Sequence, residues 1–463
     1  MTNFSGKSVL VLGLGETGMS IVRWLSGKGA RLRVADSRAT SPGLDQISAL
    51  VAAEQIYCGP FTAALFDGID LIAISPGVPM SDPHVAAAKA RGIPVVGDIE
   101  LFAQAIDPQS STHNPRVIAI TGSNGKTTVT SIVAHMCKTA GRDAVAAGNI
   151  SPAVLDVVMQ RGAKQPEVWV LELSSFQLET TSSLNADAAT VLNISEDHMD
   201  RYAGMAEYAA AKQRILAGCR VQVLNRDDPA CLAMRSDAGA SVSFGLNAPD
   251  TDDDFGIEKD GDDIWLMRGG ERLLKAGEMQ IAGLHNVANA LAALALCRAI
   301  GLPMQPLLDA LRSFKGLPHR VELVDTLQGV RYYDDSKGTN VGATVAALEG
   351  LGCKSVLIAG GVGKEQDFSP LKPVVAKHAR AVVLIGRDAP VIEAALNGCS
   401  VGMVYADDMG DAVQKAAKFA LPGDAVLLSP ACASFDMYRN YAHRAEVFVA
   451  EVHKLNQEAA WPR

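Results

Sequence analysis

Short apolar runs recur along the chain, each closed by a glycine-rich or polar stretch and followed by a segment with helical spacing. Runs of this kind are buried strands, and their alternation with helices predicts parallel sheets. At the start, SVLVLGLGETGMSIVRWLSGKGARLRVADSR reads strand, glycine turn, helix, strand, and DLIAISPGVP and IPVVGDIELFAQA continue the alternation. The pattern stops at DPQSSTHNPR, Asp107 to Arg116, whose polar, proline-containing composition predicts a linker. It resumes with a strand over Val117 to Thr121, a turn Gly122-Ser123-Asn124-Gly125, and a helix opened by Lys126, Thr127 and Thr128. Two further strands end at Glu172 and Asn193, and EYAAAKQRIL predicts a helix that carries Lys212. Between Asp227 and Glu278 the alternation weakens into acidic turns and strand-like runs, which predicts peripheral hairpins. GLHNVANALAALALCRAIG is a helix by its alanine content, with Asn286 and Asn289 in its first turns. Gly316 and Pro318 mark a second joint, after which four apolar strands each run into a polar loop. The expectation is an α/β chain of three domains, 1–107, 108–315 and 316–463: two Rossmann-like units around a central P-loop sheet.

The length of 463 residues agrees with three domains at ~100–200 residues each. A net charge of −9 with both signs scattered leaves no basic stripe and argues against nucleic acid as a partner. The eight cysteines form no C-x-x-C pair, so buried thiols in a reducing compartment are expected in place of disulfides or zinc ligands. The start of the chain lacks the layout of a secretory leader, and no apolar run approaches the ~18 residues of a membrane span. A cytoplasmic protein without membrane insertion is expected.

Candidate chemistry gathers where strands end. The stretch 117–128 places free backbone N–H groups and a helix dipole around a small concavity, the physical basis of phosphate binding. Lys126 would reach the outer phosphates and the Thr127 hydroxyl a Mg²⁺. The loop is a shortened P-loop, since Ile120 stands where the longer form has its first glycine. Glu172, at the carboxyl end of its strand, suits a metal, although a carboxylate without a role fits the pattern too. His198 lies in an acidic loop with Glu196, Asp197 and Asp200 and reads as a metal or substrate ligand. For Lys212, spacing alone suggests a solvated helix lysine. Near the start, Gly13, Gly15 and Gly18 form GxGxxG and Asp36 ends the next strand. That suits a nicotinamide dinucleotide or any other nucleotide diphosphate, with Asp36 on a sugar hydroxyl. In the last domain, Ser434 either lines a site or caps the helix bearing Tyr441 and Arg444.

These pieces resemble the Mur ligases over essentially the whole chain. The motifs that carry the likeness are GLGETG, DSR at 36–38, SPG at 75–77, TGSNGKTT, GNI at 148–150, LELSSFQLE, EDHMDRY, HN at 285–286, LPHR, DDSKGTN and SPACASFD. The resemblance implies an ATP-dependent amide ligase with Mg²⁺, on the branch that adds D-glutamate to UDP-N-acetylmuramoyl-L-alanine in peptidoglycan precursor synthesis, acting as a monomer. It implies that Gly122, Ser123, Asn124, Gly125, Lys126, Thr127, Thr128, Asn286, Asn289, His319, Arg320, Asp335 and Lys337 bind ATP. Arg320 and Asp335 would lie near the adenosine. Glu16, Thr17, Asp36, Ser37, Arg38, Gly77, Asn149 and His198 would hold the sugar nucleotide. Thr339, Lys364, Ser434, Phe435 and Tyr441 would hold D-glutamate. Thr127, Glu172, His198 and a carbamylated Lys212 would ligate two Mg²⁺ ions, and Lys126, Glu172, His198, Lys212 and Arg444 would be catalytic. An NAD-dependent dehydrogenase using the first glycine turn is the alternative from another class, and it leaves the P-loop unexplained.

Overall fold

The computed structural model describes residues 3–41, 43–106, 115–281 and 283–460, with the side chains of 457–460 outside the description. Most of the expected linker at 107–116 lies outside these residues. Three sheets follow one another along the chain. Crossing the first gives Ile56–Cys58, Arg31–Asp36, Ser8–Leu12, Leu71–Ile74 and Val95–Val96, all parallel. Strand order reverses beside Ser8–Leu12, which opens a crevice beyond the strand ends there. Gly13 and Ser75 meet in it: a Cβ on Gly13 would lie 3.0 Å from Ser75 Cβ.

The central sheet has nine strands. Arg116–Thr121 lies between Val168–Glu172, beyond which is Ala144–Gly148, and Ala188–Val191, beyond which are Val221–Asn225 and Ala240–Phe244. The hairpins expected from the acidic stretch are present as an antiparallel meander, Phe255–Asp260, Asp263–Arg268 and Glu271–Lys275. It joins the sheet edge through the pair Phe244 and Phe255, so it extends the central sheet. The third sheet opens with an antiparallel pair, Glu322–Leu327 and Val330–Asp334, and continues parallel through Ala425–Leu428, Ser355–Gly360, Ala379–Ile385 and Gly402–Tyr405.

The cores show how the sheets are coupled. One cluster runs from Val9, Ile21 and Phe102 of the first unit into Val117, Leu155 and Trp169 of the central one. Phe102 packs edge-on against Trp169 with ring centroids 4.9 Å apart. The third unit has its own clusters on the two faces of its sheet. Five of the eight cysteines are buried, all eight are free, and Cys58 is exposed. Among the described residues no helix is long and apolar enough to cross a membrane.

Candidate active site

The strand Arg116–Thr121 ends in the predicted turn, and the helix Lys126–Thr139 starts at Lys126. Gly125 has φ 82°, and a Cβ there would meet Asn289 Oδ1 at 2.7 Å, so conformation and space both require glycine. Asn193, from the neighbouring strand's end, accepts from Asn124 N at 2.8 Å and donates to Asn124 O at 3.1 Å. Ser123 Oγ donates to Ser195 O and accepts from Ser195 N, each at 2.9 Å. The turn is therefore pinned from outside. Lys126 Nζ donates to the carbonyls of Gly122 (2.7 Å) and Ser123 (2.9 Å), curling over the concavity. Burial lowers its pKa, opposed by the charges of Glu172 and Asp197.

Beside this turn lie two buried groups of opposite type. Glu172 is 2% exposed. Its Oε1 accepts from Asn149 Nδ2 at 2.9 Å, and its Oε2 is buried without a partner among the described residues. An unmatched buried carboxylate oxygen is costly unless a cation meets it, so the donor set fits Mg²⁺. Lys212, also 2% exposed, is no surface lysine. Its Nζ donates to Gly122 O at 2.9 Å and to Thr121 Oγ1 at 3.3 Å, and it lies 4.7 Å from the Tyr208 ring centroid. Burial, and then the neighbouring Lys126, push its pKa well below the usual lysine range. A neutral amine is the form that adds carbon dioxide. His198 has φ 59°, its Nε2 is 3.6 Å from Asp197 Oδ2, and Phe176 meets its ring edge-on at 4.9 Å. Burial lowers the imidazole pKa while Asp197 works to raise it.

A cavity of about 340 Å³ runs from Asn124 and Thr128 past Asn286 and Asn289 to Asp335 and Lys337, between the central and third units. Asn289 Nδ2 donates to Asn286 Oδ1 at 3.2 Å. Asp335 accepts from Ser429 Oγ at 2.6 Å, and burial pushes its carboxyl up to about 7. Lys337 Nζ sits 3.8 Å from the centre of the Tyr441 ring. His319 pairs with Asp334 through Nδ1 at 2.7 Å. Arg320 lines the cavity with Asp335, and its Nη2 donates to Thr127 Oγ1 at 2.8 Å, which ties it to the P-loop helix. His285 also lines the cavity, and its buried Nδ1 has no partner among the described residues. Its place beside Asn286 was the available signal, and no site was assigned to it from sequence.

The remaining candidates divide. Lys364 crosses from the third unit to Asp197 Oδ1 at 3.2 Å, and Asn340 Nδ2 donates to Asn124 Oδ1 at 3.0 Å. Thr339 is half-buried, Ser434 is buried, and Phe435 is 73% exposed. The last helix starts at Tyr441, so Ser434 does not cap it. Arg444 is not among the residues that line the cavity. Its buried guanidinium donates to Ser336 Oγ and O and to Cys432 O at 2.8–3.1 Å, which makes it a brace for two loops. Asp36 is held in place as well. Its oxygens already accept from Leu14 N, Arg38 N, Arg38 Nε and Arg38 Nη2. Those four bonds orient Arg38, whose side chain is half exposed and supplies two of them. The Arg38 side chain beside it holds the Asp36 pKa far below the usual range. Glu16 accepts from Ser151 Oγ at 2.8 Å, close to Asn149. Thr17 is the second residue of the helix after the glycine turn, Ser37 follows Asp36 on an exposed loop, and Gly77 has open space where a Cβ would be.

The three units have counterparts in known proteins. Residues 7–97 match the N-terminal domain of MurD-like Mur ligases, 120–297 the Mur ligase middle domain, and 319–432 the Mur ligase glutamate ligase domain. A protein of Nitrosomonas europaea named UDP-N-acetylmuramoylalanine--D-glutamate ligase is 56% identical, over 98% of each chain. One of the same name from Methylobacillus flagellatus is 58% identical over 99% of each. The MurF ligase of Thermotoga maritima, solved with ADP, shares the fold at a TM-score of 0.61 and 17% identity, covering 97% of this chain and 96% of its own. With matched domains across all three sheets and relatives this similar end to end, the chain belongs to the Mur ligase family.

Proposed function

We propose that this chain joins D-glutamate to UDP-N-acetylmuramoyl-L-alanine at the expense of ATP, as a cytoplasmic monomer. The observation that carries the reading is the convergence of the Lys126 turn, the half-satisfied Glu172 and the buried Lys212 at the end of a cavity closed by Arg320. The names of the relatives supply the two substrates.

A carboxylate resists attack by an amine because it has no leaving group. Transfer of the γ-phosphoryl group to a carboxylate oxygen, with ADP departing, creates one. The amine nitrogen then adds to the acyl carbon, and the tetrahedral adduct expels phosphate and loses its extra proton. Phosphoryl transfer needs mainly positioning and charge neutralisation. The turn 122–125 and the helix behind it would orient the phosphates, with Lys126 exchanging two carbonyls for phosphate oxygens. Thr127, Glu172, His198 and Lys212, carbamylated, would hold two Mg²⁺ ions, which supply positive charge against the phosphates. Asn286, Asn289, His319, Asp335 and Lys337 would contact the rest of the nucleotide. Glu16, Thr17, Ser37, Arg38, Gly77 and Asn149 would contact the sugar nucleotide, with Asp36 acting through Arg38. Thr339, Lys364, Ser434, Phe435 and Tyr441 would form the amino-acid side.

The test is phosphate release with ATP, Mg²⁺ and UDP-N-acetylmuramoyl-L-alanine, comparing D-glutamate, L-glutamate and meso-diaminopimelate. Release that depends on D-glutamate is expected. Release with another amino acid in its place would move the chain to a sister ligase, and release without any acceptor would argue for a nucleotide switch.

A further inference from the structure

The segment that links Glu172 to His198 is gripped from the first unit. After Glu172 comes the short helix Ser175–Glu179, capped by Ser174. Its Phe176 packs against His198. Gln177, 2% exposed, accepts from Ser174 N through Oε1 at 3.1 Å. A backbone N–H can only donate, so this bond fixes the amide orientation and aims Nε2 the other way. Nε2 donates to both oxygens of Asp98, at 3.1 and 3.3 Å. Asp98 is 1% exposed and starts the helix Asp98–Ala105 of the first unit. From the same helix, Glu100 accepts from Ser182 N at 2.7 Å and from Ser183 N at 3.0 Å, beyond the far end of the short helix. Two carboxylates of one helix therefore hold the short helix at its middle residue and the chain just beyond it. Gly97 allows the close approach, because a Cβ there would meet Thr180 Oγ1 at 2.4 Å.

We propose that Asp98 is a positioning residue for the reaction: through the Gln177 amide it sets the segment that carries Glu172 at one end and packs on His198 at the other. It touches neither the P-loop nor the cavity between the central and third units. Its role rests on the ligase reading given above. Burial pushes its carboxyl up to about 6, so the Gln177 hydrogen bond replaces hydration that the group has lost.

The test inverts the polarity of the bond. Gln177→Glu keeps the shape and sets two carboxyl groups face to face in a buried place, which disfavours their ionised forms. Adding Asp98→Asn restores a donor opposite an acceptor. For Gln177→Glu, kcat should fall roughly tenfold or more with KM for ATP within about threefold, at temperatures well below melting. The double variant should recover to within about threefold of the parent kcat, showing the non-additivity of a coupled pair. Full kcat in Gln177→Glu, or a folded double variant as slow as the single, would overturn the proposal. A wild-type chain without turnover would remove the ligase reading itself, a separate outcome from failed recovery in an active enzyme.

Discussion

Lys126 donates to the carbonyls of Gly122 and Ser123, bonds that a phosphate would outcompete through charge. Replacing it by alanine should remove about 3 kcal/mol of transition-state stabilisation, roughly a hundredfold or more in kcat, as for loss of one electrostatic donor. Phosphate release at near-wild-type rate would refute this role. Lys212 differs in kind, because its surroundings disfavour the ammonium. Lys212→Ala should lose turnover, and added acetate should restore part of it by supplying a carboxylate in the vacated space. Failure of rescue, together with an unmodified lysine by mass spectrometry of active protein, would count against carbamylation. His285 gives a prediction on stability. Burial lowers its pKa from 6.5 to about 4, so between these values the unfolded chain binds the extra proton. Stability should therefore fall as pH drops from about 6.5 to about 4. His285→Gln should flatten that part of the melting-temperature profile, and an unchanged slope would show that other groups set it.

At the scale of elements, legibility followed locality. The phosphate turn was readable because strand, glycines and helix start are contiguous, and the hairpins because turn residues punctuate them. Gly125 shows how tightly such a turn is specified. With φ 82° and Asn289 in the path of a Cβ, Gly125→Ala should cost about 1–2 kcal/mol from conformation alone. Asn289→Ala, which clears the space, should recover only the steric part, as read by denaturant midpoints. What spacing did not reveal was set by elements distant in sequence. Lys212 sits on a helix of ordinary composition, and only docking of that helix beneath the turn buries it. Arg320 is expected near the adenosine only through the family resemblance, and its contact across units to Thr127 is not legible in spacing. Arg444 follows conspicuous loop residues, and its burial among carbonyls depends on how two of those loops fold back. Asp98 gave no signal, since an acid in the first turn of a helix is also what the helix dipole favours.

For the whole molecule, the contrast between the two junctions matters most. The first and central units share one apolar core, sealed by Phe102 against Trp169 and tied by Arg23 to Asp156. The third unit meets the central one through polar contacts that include Arg320 to Thr127, Asn340 to Asn124, and Lys364 to Asp197. Polar junctions of this kind exchange readily with water, whereas a shared core does not separate without exposing apolar surface. The third unit is therefore the one expected to swing, and substrates entering the cavity would replace contacts that now hold it closed. Asp197→Asn removes one ion pair across that junction, worth about 1 kcal/mol at such a partly shielded place. The free protein should then populate a more open form, seen as a larger radius of gyration in solution scattering, with its melting temperature nearly unchanged. Phe102→Ala should do the reverse. It should cost about 3–5 kcal/mol of stability by leaving a cavity against Trp169, with no opening of the third unit. If Asp197→Asn left the scattering profile unaltered while Phe102→Ala expanded it, the hinge would lie at the first junction and this assignment of the moving unit would be reversed.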